Sequence, residues 1–255
     1  MSAGLDIAPE TFDPEAFARL AAAESGHFWF EERRELIAWA IRRYFPAAQD
    51  FCEVGCGTGF VLAGLESRLP HLNLTGVEYY PEALPYATAR LTRTRLLKGD
   101  ICQLPFRQEF DVIGCFDVLE HIPDDRLALT NLVSGLRPGG GLILTVPQHP
   151  RLWGVADEIG HHQRRYMRQE LQSKLIGCGL DCQRMTSFMS FLLPVMWLSR
   201  RMARHVDEAN GELAPSAASN WIGRKLLQLE RRLVASGVSF HFGGSLLVIA
   251  TKPNE

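Results

Sequence analysis

The sequence predicts an α/β fold in which a mostly parallel sheet is covered by helices on both faces. Short apolar runs alternate with segments of helical periodicity from residue 50 to about residue 187, which is typical of such sheets. A glycine-rich stretch, "EVGCGTG", directly follows the first apolar run, at the edge where open sheets of this class bind ligands. The chain has 255 residues, of which 46% are hydrophobic, so it can bury the core that this fold requires.

Each element of this fold has a sequence signal. Two helices are predicted first, at "DPEAFARLAAAE" and at the amphipathic segment "FWFEERRELIAWAIRRYF", which has an apolar face suited to packing on the sheet. Strands are predicted, in chain order, at DFCEV, LNLTGVE, RLLKGD, FDVIGCF, GLILTVP, LDCQRMTSF and GSLLVIATK. Helices are predicted between them at TGFVLAGLESRL, PEALPYATARL, DRLALTNLVSGL and RQELQSKLIGCG.

These elements divide the chain into three predicted parts. Residues 1–48 form a helical lid, residues 49–187 together with 239–255 form the ligand-binding core, and residues 188–238 form a helical cap inserted between the sixth and seventh strands. The cap begins with "FMSFLLPVMWLSRR", where apolar residues lead into arginines as in a helix that lies on a membrane surface. Core packing or a dimer contact is the alternative interpretation of this segment.

Composition and charge exclude several classes of protein. The 27 basic and 29 acidic residues give a net charge of −2, so no global field attracts nucleic acid. The six cysteines are scattered, as expected of reduced thiols in the cytosol, and they lack the spacing of a zinc site. We find no secretory signal at the N-terminus and no apolar run long enough to span a bilayer. The sequence therefore predicts a soluble cytoplasmic protein, either a monomer or a homodimer.

The glycine-rich stretch indicates a ligand site after the first strand. Gly55, Gly57 and Gly59 alternate in the pattern G-x-G-x-G, and Glu53 precedes them. The dinucleotide fingerprint has its third glycine one residue later, and no Walker lysine follows. These glycines can admit a ligand close to the backbone, or they can serve only a tight turn between strand and helix.

Acidic residues close the next three predicted strands. Glu78 lies about 20 residues beyond the glycines, where a carboxylate can hold ribose hydroxyls, and Asp100 and Asp117 end the third and fourth strands. Because parallel strands end at the same edge of a sheet, we expect these carboxylates near one ligand. The alternative is that each of them caps a following helix.

The whole pattern resembles the class I S-adenosylmethionine-dependent methyltransferases over roughly residues 50–150. The segment "FDVIGCFDVLEHIPD", followed by "LRPGGGLILTVP", is especially similar to the subgroup that contains ubiquinone-biosynthesis O-methyltransferases and domains of methyltransferase types 11, 12 and 23. The resemblance implies a Rossmann-like three-layer α/β/α sandwich of seven strands, with the last strand antiparallel. It also implies S-adenosyl-L-methionine as the cofactor.

The resemblance further implies which residues contact the cofactor. The glycine turn would hold its amino-acid part, Glu78 its ribose, Tyr79 the face of the adenine, and Asp100 with Ile101 the adenine edge. Within "HFWFEERR", Trp29 and Arg33 would close over the cofactor as part of the lid, or would pack as an ordinary helix. The full predicted set is Trp29, Arg33, Glu53, Gly55, Cys56, Gly57, Gly59, Glu78, Tyr79, Asp100, Ile101, Phe116 and Asp117.

Two segments offer candidates for acid–base chemistry. Asp117, Glu120 and His121 form a D-x-x-E-H cluster, which can bind a hard divalent cation, position a catalytic imidazole, or make only structural hydrogen bonds. We predict no metal there. The loop after the fifth strand contains "GHHQRRY", and it leaves the sheet at its functional edge. The predicted catalytic residues are His121, His161, His162 and Tyr166, although His161 and Arg165 can instead brace the loop.

The sequence therefore predicts a methyltransferase that acts on an oxygen, or less readily a nitrogen or carbon, of a small acceptor. The apolar cap suggests that the protein contacts a membrane surface through residues 188–204 or that the acceptor carries a lipid. The segment "GHHQRRY" resembles one found in bacterial methyltransferases associated with polysaccharide or lipid pathways, so a sugar-linked acceptor is also open. A nicotinamide-dependent oxidoreductase and a non-catalytic scaffold that binds the cofactor are the alternatives. We predict no nucleic-acid partner.

Overall fold

The computed structural model describes residues 16–202 and 214–254, and its centre is one seven-stranded sheet. The strands are β1 (Asp50–Val54), β2 (Asn73–Glu78), β3 (Arg95–Lys98), β4 (Phe110–Phe116), β5 (Leu136–Pro147), β6 (Asp181–Phe188) and β7 (Ser245–Thr251). Their spatial order is β3-β2-β1-β4-β5-β7-β6. The pairs from β3 to β5 are parallel, and β7 is antiparallel to both β5 and β6. The predicted fold class, with its antiparallel last strand, is confirmed.

Helices cover both faces of the sheet. The described α-helices are α1 (Ala16–Glu24), α2 (Phe28–Tyr44), α3 (Phe60–Arg68), α4 (Leu84–Arg90), α5 (Asp125–Gly135), α6 (Val155–Ile159), α7 (Arg168–Gly177), α8 (Leu193–Met202) and α9 (Ala217–Ala235). One buried core cluster joins α5 and α7 to the sheet. A second joins α2, α3 and α9 to the opposite face. The apolar side chains on both faces of the central strands are therefore buried.

The strand order reverses between β1 and β4, and this is where the glycine turn lies. The chain runs outward from β1 to β2 and β3, and then returns to β4 on the other side of β1. Such a reversal leaves a crevice outside the carboxyl ends of the two central strands. The N–H groups of Gly55 and Cys56 donate to the carbonyl of Val77 at 2.8 and 3.0 Å. These bonds tie the turn to β2 at the mouth of the crevice.

Two helices, α8 and α9, lie between β6 and β7, where the sequence predicts a cap. Residues 203–213 of that cap and residues 1–15 of the lid lie outside the described residues, and the division of the chain into lid, core and cap stays a prediction. Helix α9 packs on α2. The N–H of Phe28 donates to Asn220 at 2.8 Å, Arg231 pairs with Glu32 at 2.9 Å, and Gly223 faces the Phe28 ring.

Among the boundaries that differ from the sequence prediction, two have a clear physical reason. Strand β5 begins at Leu136 and not at Gly141, because Leu136 already pairs with Phe110, and extra residues of β5 bulge out before Gly141 pairs with Val112. Helix α3 begins after Gly59, whose φ of 75° is left-handed and ends the turn. No helix in the described ranges is long and apolar enough to cross a membrane.

Candidate functional site

A cavity of about 1090 Å³ opens at the carboxyl ends of β1, β2 and β4. Its walls come from the glycine turn, the ends of these strands, the lid helices α1 and α2, the loop around α6, and the cap helices α8 and α9. Pockets for one small ligand usually measure about 300–1,000 Å³. The cavity is therefore large enough for two small ligands that lie side by side.

The glycine turn requires its glycines and is held by Glu78. Gly57 has a φ of 52° and Gly55 a φ of 76°, and a side chain on Gly55 would meet Val118 at 2.3 Å. The carboxylate of Glu78 accepts hydrogen bonds from the N–H of Gly57 at 2.7 Å and of Tyr80 at 2.9 Å. Burial raises the pKa of Glu78, and these bonds act in the opposite direction. Glu78 thus fixes the turn that Glu53 precedes.

Glu53 and Arg33 are buried charged groups in the cavity wall. Burial raises the pKa of Glu53 well above its usual range, while the charge of Arg33 opposes that shift. Within the described part of the chain, Oε2 of Glu53 has no hydrogen-bond partner. The Arg33 guanidinium lies 4.5 Å from the centre of the Trp29 ring and forms an ion pair with Asp117. The lid helix α2 is thereby joined to the end of β4.

The other predicted cofactor residues are distributed along the same wall. Cys56, Tyr79, Asp100, Ile101 and Phe116 all face the cavity, whereas Gly59 does not. Asp100 also caps a short 3₁₀ turn, because its carboxylate accepts from the N–H of Cys102 at 2.8 Å. The structure therefore brings the predicted set together, with Gly59 at the start of α3 as the exception.

Two histidines meet at the side of the cavity opposite β3. The rings of His121 and His162 lie 4.8 Å apart at 83°, and both residues face the cavity. Burial, followed by the charge of His162, lowers the pKa of His121 to about 4, so its ring is neutral at pH 7. Burial raises the pKa of Glu120 to about 8. The Nδ1 atom of His162 lies 2.8 Å from Asp157.

Two predicted catalytic residues are placed elsewhere. The fully buried Tyr166 donates its hydroxyl proton toward Asp125 at 2.9 Å and does not line the cavity. Burial raises the pKa of its phenol further above its normal value. The hydroxyl therefore stays protonated and is not available as a base. His161 is exposed and also lies outside the cavity. In contrast to the other predicted catalytic residues, His161 and Tyr166 thus do not line the cavity.

The cluster of acidic and histidine side chains in the structure has different members from the predicted D-x-x-E-H cluster. The ligand atoms of Glu120, His121 and His162 lie within 4.8 Å of one another, close enough to hold a metal ion. Asp117, which the sequence places in this cluster, pairs with Arg33 instead. The absence of a metal requirement stays a prediction.

Sequence reasoning missed two sets of cavity residues. The hydroxyl of Thr58 lies 2.6 and 2.8 Å from the carboxylate oxygens of Glu24, and Arg90 pairs with the same carboxylate. The alanine-rich sequence of α1 gives no signal for this contact. The cap contributes an apolar wall, which we call the cap wall, formed by Met189, Leu192, Val195, Met196, Ile222 and Leu226. Its amphipathic helices are visible in the sequence, but the direction they face is not.

Comparison with known proteins identifies the domain that contains this site. The family described as "Methyltransferase domain" matches residues 52–144. The chain is 27% identical over 125 residues to a probable S-adenosylmethionine-dependent methyltransferase of Mycolicibacterium smegmatis, covering 48% of this chain and 46% of that one. It is 26% identical over 145 residues to a ubiquinone biosynthesis O-methyltransferase of Dechloromonas aromatica, covering 50% and 62%.

The fold is shared with solved structures. One is the Haemonchus contortus phosphoethanolamine N-methyltransferase 2 in complex with S-adenosyl-L-methionine, with a TM-score of 0.63, 16% identity, and coverage of 96% of this chain and 58% of that one. The chain spans about half the length of the curated relatives it matches. Together, these findings show that residues 52–144 form a methyltransferase domain, and they confirm the predicted S-adenosyl-L-methionine as its cofactor.

Proposed function

We propose that this chain, which carries a class I S-adenosylmethionine-dependent methyltransferase domain, transfers the cofactor's methyl group to an oxygen of a small acceptor with an apolar tail. The observation that carries the proposal is the continuity of one cavity. It runs from the glycine turn, past the His121 and His162 pair, to the cap wall. Reacting groups held side by side in such a cavity react faster through proximity and orientation.

The residues at the glycine end fit the cofactor. The buried Oε2 of Glu53 lacks a partner in the described structure, as expected of a group that receives the ammonium of the methionine part. Glu78 would hold the ribose while it keeps the turn in place, and Tyr79 and Ile101 would enclose the adenine. When bound, the cofactor supplies an electrophilic methyl group on a sulfonium. Arg33 and Trp29 would exclude water from that group.

The cap wall favours an acceptor with an apolar tail. Its six members carry only hydrocarbon or thioether side chains. Leaving such an apolar surface in contact with water costs free energy, which an apolar ligand would recover by covering it. A lipid-linked acceptor would cover it, with its polar end beside the histidines. Trp197 on α8 and Trp221 on α9 are 46% and 62% exposed. The predicted contact with a lipid surface through residues 188–204, like the cytoplasmic location, stays a prediction.

The histidine pair favours a hydroxyl acceptor. A neutral imidazole can accept a hydroxyl proton as the methyl group arrives, and the lowered pKa of His121 keeps that ring neutral. His162 is the better candidate for the base, because its ring is also held by Asp157. His121 would pack against the ring of His162 and limit its rotation.

Titration calorimetry with S-adenosylhomocysteine tests the cofactor assignment. We expect binding at about one molecule per chain, with micromolar affinity near −8 kcal/mol. NADH, the control ligand for the oxidoreductase alternative, should not bind. Binding of NADH and not of S-adenosylhomocysteine would contradict the proposal. Cofactor binding without transfer to any acceptor would favour the scaffold alternative.

A series of alkylated catechols tests the acceptor class. With radiolabelled S-adenosylmethionine, we expect KM to fall as the alkyl chain lengthens, by roughly threefold to fourfold per buried methylene. Leu226→Asn in the cap wall should remove this trend. The matched control is Leu229→Asn, because Leu229 lies on the same helix but is 50% exposed and faces away from the cavity. A KM that is independent of chain length would contradict an apolar tail.

A further inference from the structure

Asp157 is a fully buried carboxylate on α6 that contacts the cavity histidine. Its Oδ1 lies 2.8 Å from Nδ1 of His162 and accepts from Nε of Arg165 at 2.7 Å. Its Oδ2 accepts from the N–H of Gly154 at 2.9 Å. Both oxygens are therefore engaged, and the carboxylate has a fixed orientation.

Arg165 anchors this carboxylate to the sheet. The guanidinium is buried, and its Nη1 donates to the carbonyl of Gln148 at 3.0 Å, directly after β5. The ion pair with Asp157 offsets the desolvation of both charges, as buried pairs must. A rigid strand end thus sets the position of the His162 ring through two intermediate side chains.

The contact with Asp157 determines which nitrogen of His162 carries the proton. An ionised carboxylate can only accept hydrogen bonds, so the neutral ring keeps its proton on Nδ1. The lone pair is then on Nε2. That atom lies on the side of the ring near Gly160, where an added Cβ would be 3.0 Å from it. Gly160 is itself part of the cavity wall, so the basic nitrogen lies beside the cavity.

We propose that Asp157 is a positioning residue that holds His162 in the tautomer and orientation of a general base for methyl transfer. The inference rests on the proposed function and extends it to a residue that does not touch the acceptor. An aspartate that orients a histidine in this way is a recurrent arrangement in enzymes that activate hydroxyl groups. An ionised carboxylate at this place would also stabilise the imidazolium that forms.

The acceptor, the cofactor and His162 together account for every bond and proton in the transfer step. The acceptor's O–H bond breaks, and its proton moves to Nε2 of His162. The acceptor oxygen forms a bond to the methyl carbon as the bond from that carbon to sulfur breaks. The electron pair of the broken bond stays on sulfur, which becomes a neutral thioether. The imidazolium then releases its proton to water.

The tautomer of His162 can be measured without knowing the acceptor. In the full chain labelled with ¹⁵N-histidine, long-range ¹H–¹⁵N spectra distinguish a protonated ring nitrogen from an unprotonated one. The signal that disappears in His162→Gln identifies this residue among the eight histidines. At neutral pH we expect protonated Nδ1 and unprotonated Nε2 in the wild type. A proton on Nε2 in the wild type would overturn the inference, and this result needs no variant of Asp157.

Kinetics then test the link between the two residues. We expect His162→Gln and Asp157→Asn each to lower kcat by roughly 10²–10⁴, with an unchanged Kd for S-adenosylhomocysteine. The double variant should lose little more than either single variant, because residues that act as a unit are not additive. His71→Gln, at an exposed turn, is the control. A purely structural role for Asp157 would lower stability and leave kcat of the folded fraction unchanged.

The outcomes separate this inference from the proposed function. A wild-type chain that does not bind S-adenosylhomocysteine would contradict the function itself. Normal cofactor binding together with a proton on Nε2 of His162, or normal kcat in Asp157→Asn, would contradict only the role of Asp157. If Asp157→Asn does not fold, the wild-type spectrum still decides.

Discussion

The hydroxyl of Thr58, inside the glycine turn, lies within hydrogen-bond distance of both carboxylate oxygens of Glu24 on α1. Arg90 on α4 joins the same carboxylate and donates to the Thr58 hydroxyl at 2.7 Å. These three groups fasten the first lid helix to the turn. Phe17 and Leu20 of that helix line the cavity, so the fastened helix lies where a bound cofactor would contact it.

The first prediction concerns this fastening. We expect Thr58→Val to accelerate the dissociation of S-adenosylhomocysteine by roughly tenfold or more, since a hydrogen bond to a charged group contributes about 1.5–3 kcal/mol. Stopped-flow fluorescence can follow the release, because Trp29 lines the cavity. Thr130→Val, on the exposed face of α5, is the control. An unchanged dissociation rate in Thr58→Val would show that α1 does not hold the cofactor.

The second prediction concerns the glycine turn. Gly57→Val places a β-branched residue at a φ of 52°, which strains the backbone by about 1–3 kcal/mol. We expect the affinity for S-adenosylhomocysteine to fall roughly 5- to 200-fold, with the sheet intact by circular dichroism. Gly177→Ala is the control, because its site at the end of α7 has open space and an ordinary φ. Wild-type affinity in Gly57→Val would contradict the assignment of the cofactor to this turn.

The third prediction is a pH dependence of stability that arises from Glu66. Burial by itself would raise the pKa of this carboxylate, but hydrogen bonds from Arg93, Thr94 and Thr92 outweigh it and lower the pKa to about 2. A depressed pKa stabilises the fold above the unfolded value of 4.5 and loses that effect as the pH falls toward 2. The side chain is partly exposed, so solvent screening reduces the effect.

Glu66→Gln should therefore lower the free energy of unfolding by about 1–2 kcal/mol at pH 7. The difference from the wild type should shrink between pH 4.5 and pH 2. Urea unfolding at several pH values measures it, and Glu82→Gln at an exposed site is the control. A difference that does not change over this window would show that the backbone contacts of Glu66 do not depend on its charge.

The fourth prediction concerns metal. Metal ligands need to be deprotonated, and because burial raises the pKa of Glu120 to about 8, a cation would have to displace a proton from this carboxyl at pH 7. We expect dialysis against EDTA to leave Tm and methyl transfer unchanged, and elemental analysis to show no stoichiometric metal. Loss of one equivalent of metal together with activity would contradict this, and Glu120→Gln would then be expected to lose the metal as well.

The sheet, and the grouping of the predicted cofactor residues around one cavity, could be predicted from the sequence because both depend on local patterns. Apolar periodicity located the strands, and Glu78 and Asp117 were found at strand ends by their position alone. Contacts between distant segments left no such pattern. The pair of Arg33 and Asp117, 84 residues apart, depends on how α2 packs across the sheet. Tyr166 looked catalytic because it follows two histidines, but the same loop turns it into the core beside Asp125.

The attachment of α9 to α2 has a consequence for the order of events in a catalytic cycle. Asn220 and Arg231 hold the beginning of α2, so the helix that faces the acceptor and the helix that faces the cofactor belong to one body. These contacts couple the movement of one helix to that of the other. Hydrogen exchange at residues 28–32 and 220–231 should then slow together when S-adenosylhomocysteine alone is added. Binding at the glycine end of the cavity would then also order the helix that lines its apolar end.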